Sequence, residues 1–143
     1  MTVLPSETQP VVAVGRRRPG LAFVVALLCW VPYVVGLVLP YYANGVHQRP
    51  AGETIFAHDL GTMWPYDTPL GGAVLFVTVV GVPTVPFVSA GVTMWSAFDL
   101  WAWRRTLTRG QVALYAVAAG VAGASVAWLA TPLATELLLW FWD

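Results

Sequence analysis

Three long apolar runs dominate this sequence and restrict the solvents in which the chain can fold. They occupy residues 21–39, 69–103 and 111–142, the last interrupted by Pro132. About 20 apolar residues in a helix cross a hydrocarbon layer that is about 30 Å thick. Each run therefore predicts a transmembrane helix, because an apolar surface of that length is more stable in lipid than in water.

The composition of the chain agrees with that interpretation. Of 143 residues, 58% are hydrophobic and 10% are charged, and the mean hydropathy is +0.70. Soluble domains usually carry about 25% charged residues. The net charge is zero, so general attraction to nucleic acid is not expected. We predict an all-α integral membrane protein with three transmembrane helices that lies in a lipid bilayer.

The second helix is predicted to span residues 69–103. Thr68 is suited to be its N-cap, and Pro69 suits the first helical position, where a missing N–H has no consequence. Pro83 and Pro86 each remove one backbone hydrogen bond, which predicts a kink near residues 83–86. The run is longer than one crossing requires, so a tilt, a kink or a protruding segment must accommodate the excess.

The third helix is predicted to span residues 111–142, with an extension beyond the membrane. Thr108 and Gln111 have the spacing of a capping box. Only the short turn 104–110 separates this helix from the second. We therefore predict that helices two and three form a long antiparallel hairpin.

The arginines predict the orientation of the chain. Residues 1–18 form a predicted N-terminal tail, residues 19–40 the first helix and residues 41–68 a polar segment. The arginines that flank the helices are Arg16, Arg17, Arg18, Arg104, Arg105 and Arg109. The positive-inside rule then places six of the seven arginines in the cytoplasm. We expect a multi-pass protein of the cell membrane with a cytoplasmic N-terminus and an extracytoplasmic C-terminus. We also expect the first run to be retained, because signal-peptide apolar regions usually have about 7–15 residues.

The polar segment 41–68 carries the first set of candidate functional residues. These are His47, Glu53, His58 and Asp59. Histidine and carboxylate side chains together can bind a transition metal or act as acid and base. Their spacing matches no compact ligand motif such as HExxH, so solvated surface groups are the simpler interpretation. We predict no metal or cofactor.

Glu136 is a second candidate, since an ionisable group at membrane depth is costly and is often functional. A span of about 20 residues counted from Thr108 ends before Glu136, which favours a position at the outer interface. If the helix lies deeper, Glu136 becomes a proton or ion site that could pair with Arg49 or His58. Asp99 is expected to pair with a neighbouring arginine of the turn.

Small residues of the third helix form a candidate packing interface. They lie in two four-spaced rows, namely Ala116, Gly120 and Ala124, and Ala119, Gly123 and Ala127. Four-spacing places each row along one face of a helix, and small residues let another helix approach closely. The rows predict either packing inside the hairpin or a docking face for a second membrane protein or a second copy.

Three functional hypotheses remain open. The first is a non-catalytic accessory or assembly subunit of a larger membrane complex. The second is a membrane enzyme or metal-handling protein with an outer-face histidine and carboxylate site. The third is an oligomeric small transporter in which Glu136, Pro83 and Pro86 line a path. The sequence has no phosphate-binding glycine loop, nucleophile elbow or CxxC pattern, so we favour the first hypothesis over an enzyme.

Overall fold

The computed structural model describes residues 18–48 and 59–142, and within these ranges the protein is helical and contains no strand. The α-helices are α1 (Pro19–Leu28), α2 (Val31–Tyr33), α3 (Leu39–Ala43), α4 (Gly71–Trp103), α5 (Arg109–Trp128) and α6 (Pro132–Trp142). A π-helical segment, Val34–Val38, joins α2 to α3, and Val46–Gln48 and Asp59–Thr62 form 3-10 turns. Three stretches are long and apolar enough to cross a membrane, namely Pro19–Ala43, Gly71–Trp103 and Arg109–Trp128. The predicted all-helical class with three such helices is confirmed.

Prolines explain the irregular path of the first stretch, Pro19–Ala43. Pro32 and Pro40 both lie inside it, and neither can donate a backbone hydrogen bond to the preceding turn. The chain forms a turn at Cys29 and Trp30, just before Pro32, and winds as the wider π-helix just before Pro40. The stretch continues three residues beyond the predicted end at residue 40.

The second helix begins at Gly71, two residues later than the sequence predicts. The hydroxyl of Thr68 is engaged elsewhere, because it donates to the carbonyl of Pro65 at 2.6 Å. The N–H of Gly71 donates to the carbonyl of Thr68 at 2.8 Å, so residues 65–71 form turns before the helix starts. From Gly71 the helix continues through Pro83 and Pro86 as one element.

The third run contains two helices where the sequence predicts one with an extension. The predicted capping box is present at its start: the Gln111 N–H donates to Thr108 Oγ1 at 3.3 Å, and Gln111 Oε1 accepts from the Thr108 N–H at 3.1 Å. The first helix ends at Trp128, and Pro132 begins the next. Thr131 Oγ1 accepts from the Ala134 N–H at 3.3 Å, which gives α6 an N-cap of its own.

The buried side chains form two clusters, one towards each end of the molecule. The first contains Cys29, Tyr33, Leu37, Tyr41, Val46, Met63, Val82, Val85, Leu137 and Phe141. The second contains Ala22, Ala26, Val92, Tyr115, Ala118 and Ala122, with Phe23, Leu100 and Leu107 packed against it. We call the end that carries residues 44–48 and 59–70 the loop end. The opposite end carries Arg18, Arg104, Arg105 and Arg109, and we call it the arginine end.

A buried hydrogen bond joins the middle of α4 to the last turn of α5. The hydroxyls of Ser89 and Ser125 are 2.7 Å apart, and both side chains are fully buried. Ser125 donates its single hydroxyl hydrogen to the carbonyl of Ala122 at 2.7 Å, so Ser89 must be the donor to Ser125. Ala118 and Ala122 are also fully buried on the same face of α5, and their small side chains let the two helices approach closely.

Glycine is required where the first stretch crosses α4. A Cβ added at Gly81 would lie 2.5 Å from Cγ of Pro32, and one added at Gly36 would lie 2.0 Å from Oγ1 of Thr78. A proline ring has no rotamer that would move it away. The contact between Gly81 and Pro32 therefore fixes how closely these helices approach each other.

Replacing Gly81 by alanine should lower the free energy of unfolding by about 1–3 kcal/mol, the usual result of overpacking a tight interface. Gly91 is the matched control, because it lies in the same helix and a Cβ added there meets nothing within 4 Å. Gly91→Ala should leave stability unchanged or raise it slightly, since alanine favours helix over glycine. Unfolding in detergent micelles, followed by circular dichroism, measures both, and equal effects would contradict the assigned contact.

Candidate functional site

The loop end contains the described residues of the predicted histidine and carboxylate set. His47 is exposed in the 3-10 turn Val46–Gln48, with its ring centroid 4.9 Å from that of Tyr42. Its Nε2 atom is 3.2 Å from Nε2 of Gln48. Asp59 is half-buried at the start of the 3-10 turn Asp59–Thr62, and its backbone carbonyl accepts from the hydroxyl of Thr62.

The remaining members of this set, Glu53 and His58, lie outside the described residues, as does Arg49. Within residues 18–48 and 59–142, no group of three or more His, Cys, Asp and Glu side chains is placed to hold a metal ion. The outer-face metal or acid–base hypothesis depends on two residues that the structure describes, His47 and Asp59, and on two that it does not, Glu53 and His58. It therefore stays a prediction.

Glu136 has a partner at the loop end that the sequence did not indicate. The hydroxyl of Tyr41 donates to Oε1 of Glu136, joining the end of the first stretch to α6. The Tyr41 ring is buried and packs edge-on against Trp140, one turn beyond Glu136, with ring centroids 5.5 Å apart. The carboxylate itself belongs to an exposed residue. This geometry gives Glu136 one directed hydrogen bond and access to its surroundings.

One polar contact inside the bundle was missed by sequence reasoning. Pro40 lacks the N–H that would normally reach the carbonyl of Gly36, four residues earlier. The hydroxyl of Tyr66 donates to that carbonyl at 2.5 Å, so a side chain from the loop end replaces the missing backbone donor. Proline four residues after a buried glycine was the available signal, but the sequence does not show which side chain would supply the donor.

A second contact holds the same loop in place. The side chain of Asn44 donates to the carbonyls of Pro40 and Trp64, both at 2.7 Å, and its Oδ1 accepts from the Trp64 N–H at 3.1 Å. One amide therefore joins the end of α3 to the chain that leads into α4. Together with Tyr66, Asn44 makes the loop end a fixed cap on the helices.

Burial raises the pKa of the Tyr66 hydroxyl above its ordinary value, and the neighbouring Thr78 hydroxyl has a smaller effect in the opposite direction. The neutral phenol is the form that donates to Gly36. A group whose pKa is raised by folding contributes stability below its unfolded pKa, and that contribution is lost as the pH rises through the folded pKa. The contact should therefore hold at neutral pH and weaken only in strongly alkaline solution.

Most residues of the predicted packing rows of α5 are not covered by the described part of the chain. Ala116, Gly120, Ala124 and Ala127 are exposed, and Ala119 and Gly123 are half-buried. A Cβ added at Gly120 or Gly123 would meet nothing within 4 Å. Packing inside the protein uses another face of α5, whose fully buried residues are Tyr115, Ala118, Ala122 and Ser125.

The ion pair expected between Asp99 and an arginine of the turn stays a prediction. Asp99 is half-buried on α4, which ends at Trp103, just before Arg104.

Comparisons with known proteins identified no relative of this chain. The chain matches no family model, no curated protein and no solved structure. The contacts within the chain itself indicate its chemistry. At the loop end these contacts amount to a cap held by Tyr66 and Asn44, and to an exposed carboxylate bound by Tyr41.

Removing the Tyr66 hydroxyl tests the cap. Tyr66→Phe removes the side-chain donor from the buried Gly36 carbonyl and should destabilise the protein by about 1–3 kcal/mol. Tyr42→Phe is the control, because the Tyr42 ring is 46% exposed and its hydroxyl takes no part in the cap. Unfolding in micelles should show the loss only for Tyr66→Phe.

The pH dependence gives a second measure of the same contact. The stability difference between the wild type and Tyr66→Phe should stay constant from about pH 6 to about pH 9 and shrink above about pH 10. A difference that varies across neutral pH, or equal losses in both phenylalanine variants, would contradict the assigned role.

Proposed function

We propose that this chain is a non-catalytic accessory or assembly subunit of a larger complex in the cell membrane. It crosses the bilayer three times, with α4 and α5 as an antiparallel hairpin. The proposed orientation follows the positive-inside rule. The arginine end lies in the cytoplasm, and the loop end and the C-terminus lie outside.

The observation that supports this proposal is the composition of the outward face of α5. At 3.6 residues per turn, Gly120 lies directly opposite the buried face of the helix, and residues seven before and after it lie beside it. Within about 40° of that direction α5 carries Ala113, Ala116, Gly120, Ala124 and Ala127, with Arg109 at its first position. Beyond that first residue, the strip opposite the buried face carries only alanine and glycine, and exposed Val117 borders it.

The exposed face of α4 has the opposite character. Phe76 is 67% exposed, Phe87 80% and Met94 72%. Large, flexible side chains of this kind suit contact with acyl chains. A flat strip of alanine and glycine suits close approach by another helix, because association within lipid depends on van der Waals packing between backbones. The contrast supports lipid on the α4 side and protein on the α5 side.

We propose that the occupant of the α5 face is a transmembrane helix of a partner protein. The loop end supports a subunit role as well, because Tyr66 and Asn44 hold it as a fixed surface outside the bilayer. Such a surface lets a partner engage the chain both within the membrane and above it. A second copy of this chain is the alternative occupant, and the same experiment distinguishes the two.

Ala124→Leu should remove the partner, because a leucine at the centre of the face prevents close backbone approach. Ala90→Leu is the matched control: Ala90 is exposed on α4, and it lies at the same depth as Ala124, one residue from the Ser89 and Ser125 bond. The full chain is purified from its native host in mild detergent, cross-linked and analysed by mass spectrometry.

The expected result is a stoichiometric partner chain with the wild type and with Ala90→Leu, and a loss of at least tenfold with Ala124→Leu, equivalent to about 1.4 kcal/mol. A self-association that Ala124→Leu abolishes would replace the partner by a second copy. A monomer in all three samples would contradict the subunit role.

A further inference from the structure

A cavity of about 480 Å³ opens at the arginine end, where α4 meets the turn that leads to α5. Its lining residues are Trp101, Ala102, Trp103, Arg104, Arg105 and Thr106. Its lining includes two arginines and two tryptophans. The proposed orientation places it at the cytoplasmic surface of the bilayer. No contact of the loop end involves this cavity.

Hydrogen bonds across the helices show that further arginines lie at the same level. Trp30 Nε1 donates to the carbonyl of Val121 at 3.3 Å. Arg18 precedes Trp30 by twelve residues, and Arg109 precedes Val121 by twelve. Because residues in a helix rise by about 1.5 Å each, these equal distances along neighbouring helices bring Arg18 and Arg109 to one level.

The serine bond gives the same result for α4. Arg105 follows Ser89 by sixteen residues, and Arg109 precedes Ser125 by sixteen. Since the two helices run in opposite directions in the proposed hairpin, Arg105 and Arg109 also share one level. Arginines that flank three helices therefore lie at about one level, and this end of the bundle is positively charged.

These arginine side chains lie at the surface. Arg18, Arg104, Arg105 and Arg109 are all exposed. The N-terminus of α5 begins at Arg109 and adds the positive end of a 20-residue helix dipole. The arginine end is therefore suited to an anion.

An apolar surface adjoins this charge directly. Trp101 is 74% exposed, Phe98 is 59% exposed, and their ring centroids are 6.4 Å apart. Indole rings favour the membrane interface because they combine an apolar body with one N–H donor. A ligand held here would meet guanidinium groups at its charged end and aromatic rings beside it. A free phosphate ion would contact only the guanidinium groups, whereas a phospholipid would contact both the guanidinium groups and the aromatic rings.

We propose that the arginine end is a binding site for the phosphate of an anionic phospholipid in the cytoplasmic leaflet. Arg104 and Arg105 hold the phosphate oxygens, since guanidinium groups match phosphate with paired N–H donors. Arg18 and Arg109 add long-range attraction, and an acyl chain lies along Trp101 and Phe98. This site requires insertion in the proposed orientation, but it does not require the accessory-subunit role.

Lipid retention by the full chain tests the site. The purified protein is reconstituted with equal amounts of phosphatidylglycerol and phosphatidylcholine and washed in mild detergent. The lipids that remain are then quantified by mass spectrometry. The wild type should be enriched in phosphatidylglycerol. Arg105→Gln should lower the enrichment ratio by about fivefold, the effect expected for one arginine near an anionic surface, and Arg104→Gln should do the same.

Arg49→Gln is the matched control, because it removes the same charge from the segment between the first two spans. It should leave the enrichment unchanged. Arg104→Lys with Arg105→Lys keeps the charge but loses the paired donors, and it should retain lipid less well than the wild type and better than the glutamine variants. All variants should unfold at the wild-type temperature, since the substituted arginines of the turn are exposed.

Three results would overturn the site. One is an equal loss for Arg49→Gln and Arg105→Gln, which would show general charge attraction. Another is displacement of the lipid by inorganic phosphate at the same molar concentration, which would make the free ion the ligand. The third is equal retention of both lipids by the wild type. None of these results affects the partner assay with Ala124→Leu, so either proposal can be contradicted while the other stands.

Discussion

The structure depends on one constraint: a backbone carbonyl in an apolar environment needs a donor, and proline removes the donors that a helix would supply. Pro40 leaves the carbonyl of Gly36 without its usual partner, and the hydroxyl of Tyr66 takes that place. Tyr66 reaches Gly36 because the loop end folds back over the helices. The π-helical winding before Pro40 and the contact that Tyr66 makes with Gly36 are thus both linked to the same proline.

The same constraint shapes the contacts between helices. Gly36 and Gly81 lie where the first stretch meets α4, and neither leaves room for a Cβ. The bond between Ser89 and Ser125 then joins α4 to α5 without leaving a hydroxyl hydrogen unused. Within this chain, close packing is concentrated on one face of each helix. The opposite face of α5 carries small residues that the described part of the chain leaves exposed, which is the basis of the proposed subunit role.

Hydropathy and capping signals predict much of this fold because they depend on local chemistry. Three apolar runs have the length of a membrane crossing, and Thr108 with Gln111 forms the expected capping box. The start of α4 was predicted two residues early, because the hydroxyl of Thr68 bonds to Pro65 instead of capping the helix. A local signal is wrong when a nearby turn offers the same side chain another acceptor.

The buried face of α5 and the polar contacts could not be predicted in this way. Alanine and glycine occur all around α5, so four-spacing alone does not distinguish the buried row from the exposed one. Tyr115 and Ser125 lie on the buried face. Ser125 can be recognised as a buried residue only when its hydrogen-bond partner on α4, Ser89, is known. The partners of Glu136 and Gly36 are tyrosines about 95 and 30 residues away in sequence, a separation that periodicity does not resolve.

Site-directed labelling measures most directly whether the chain crosses the bilayer as proposed. Cys29 is the only cysteine, so Cys29→Ala gives a background in which His47→Cys and Thr106→Cys are introduced one at a time. A membrane-impermeant maleimide applied to intact cells should label His47→Cys, and it should label Thr106→Cys only after the membrane is permeabilised. Labelling of both positions in intact cells, or of neither until permeabilisation, would contradict a three-span chain whose loop end and arginine end lie on opposite sides.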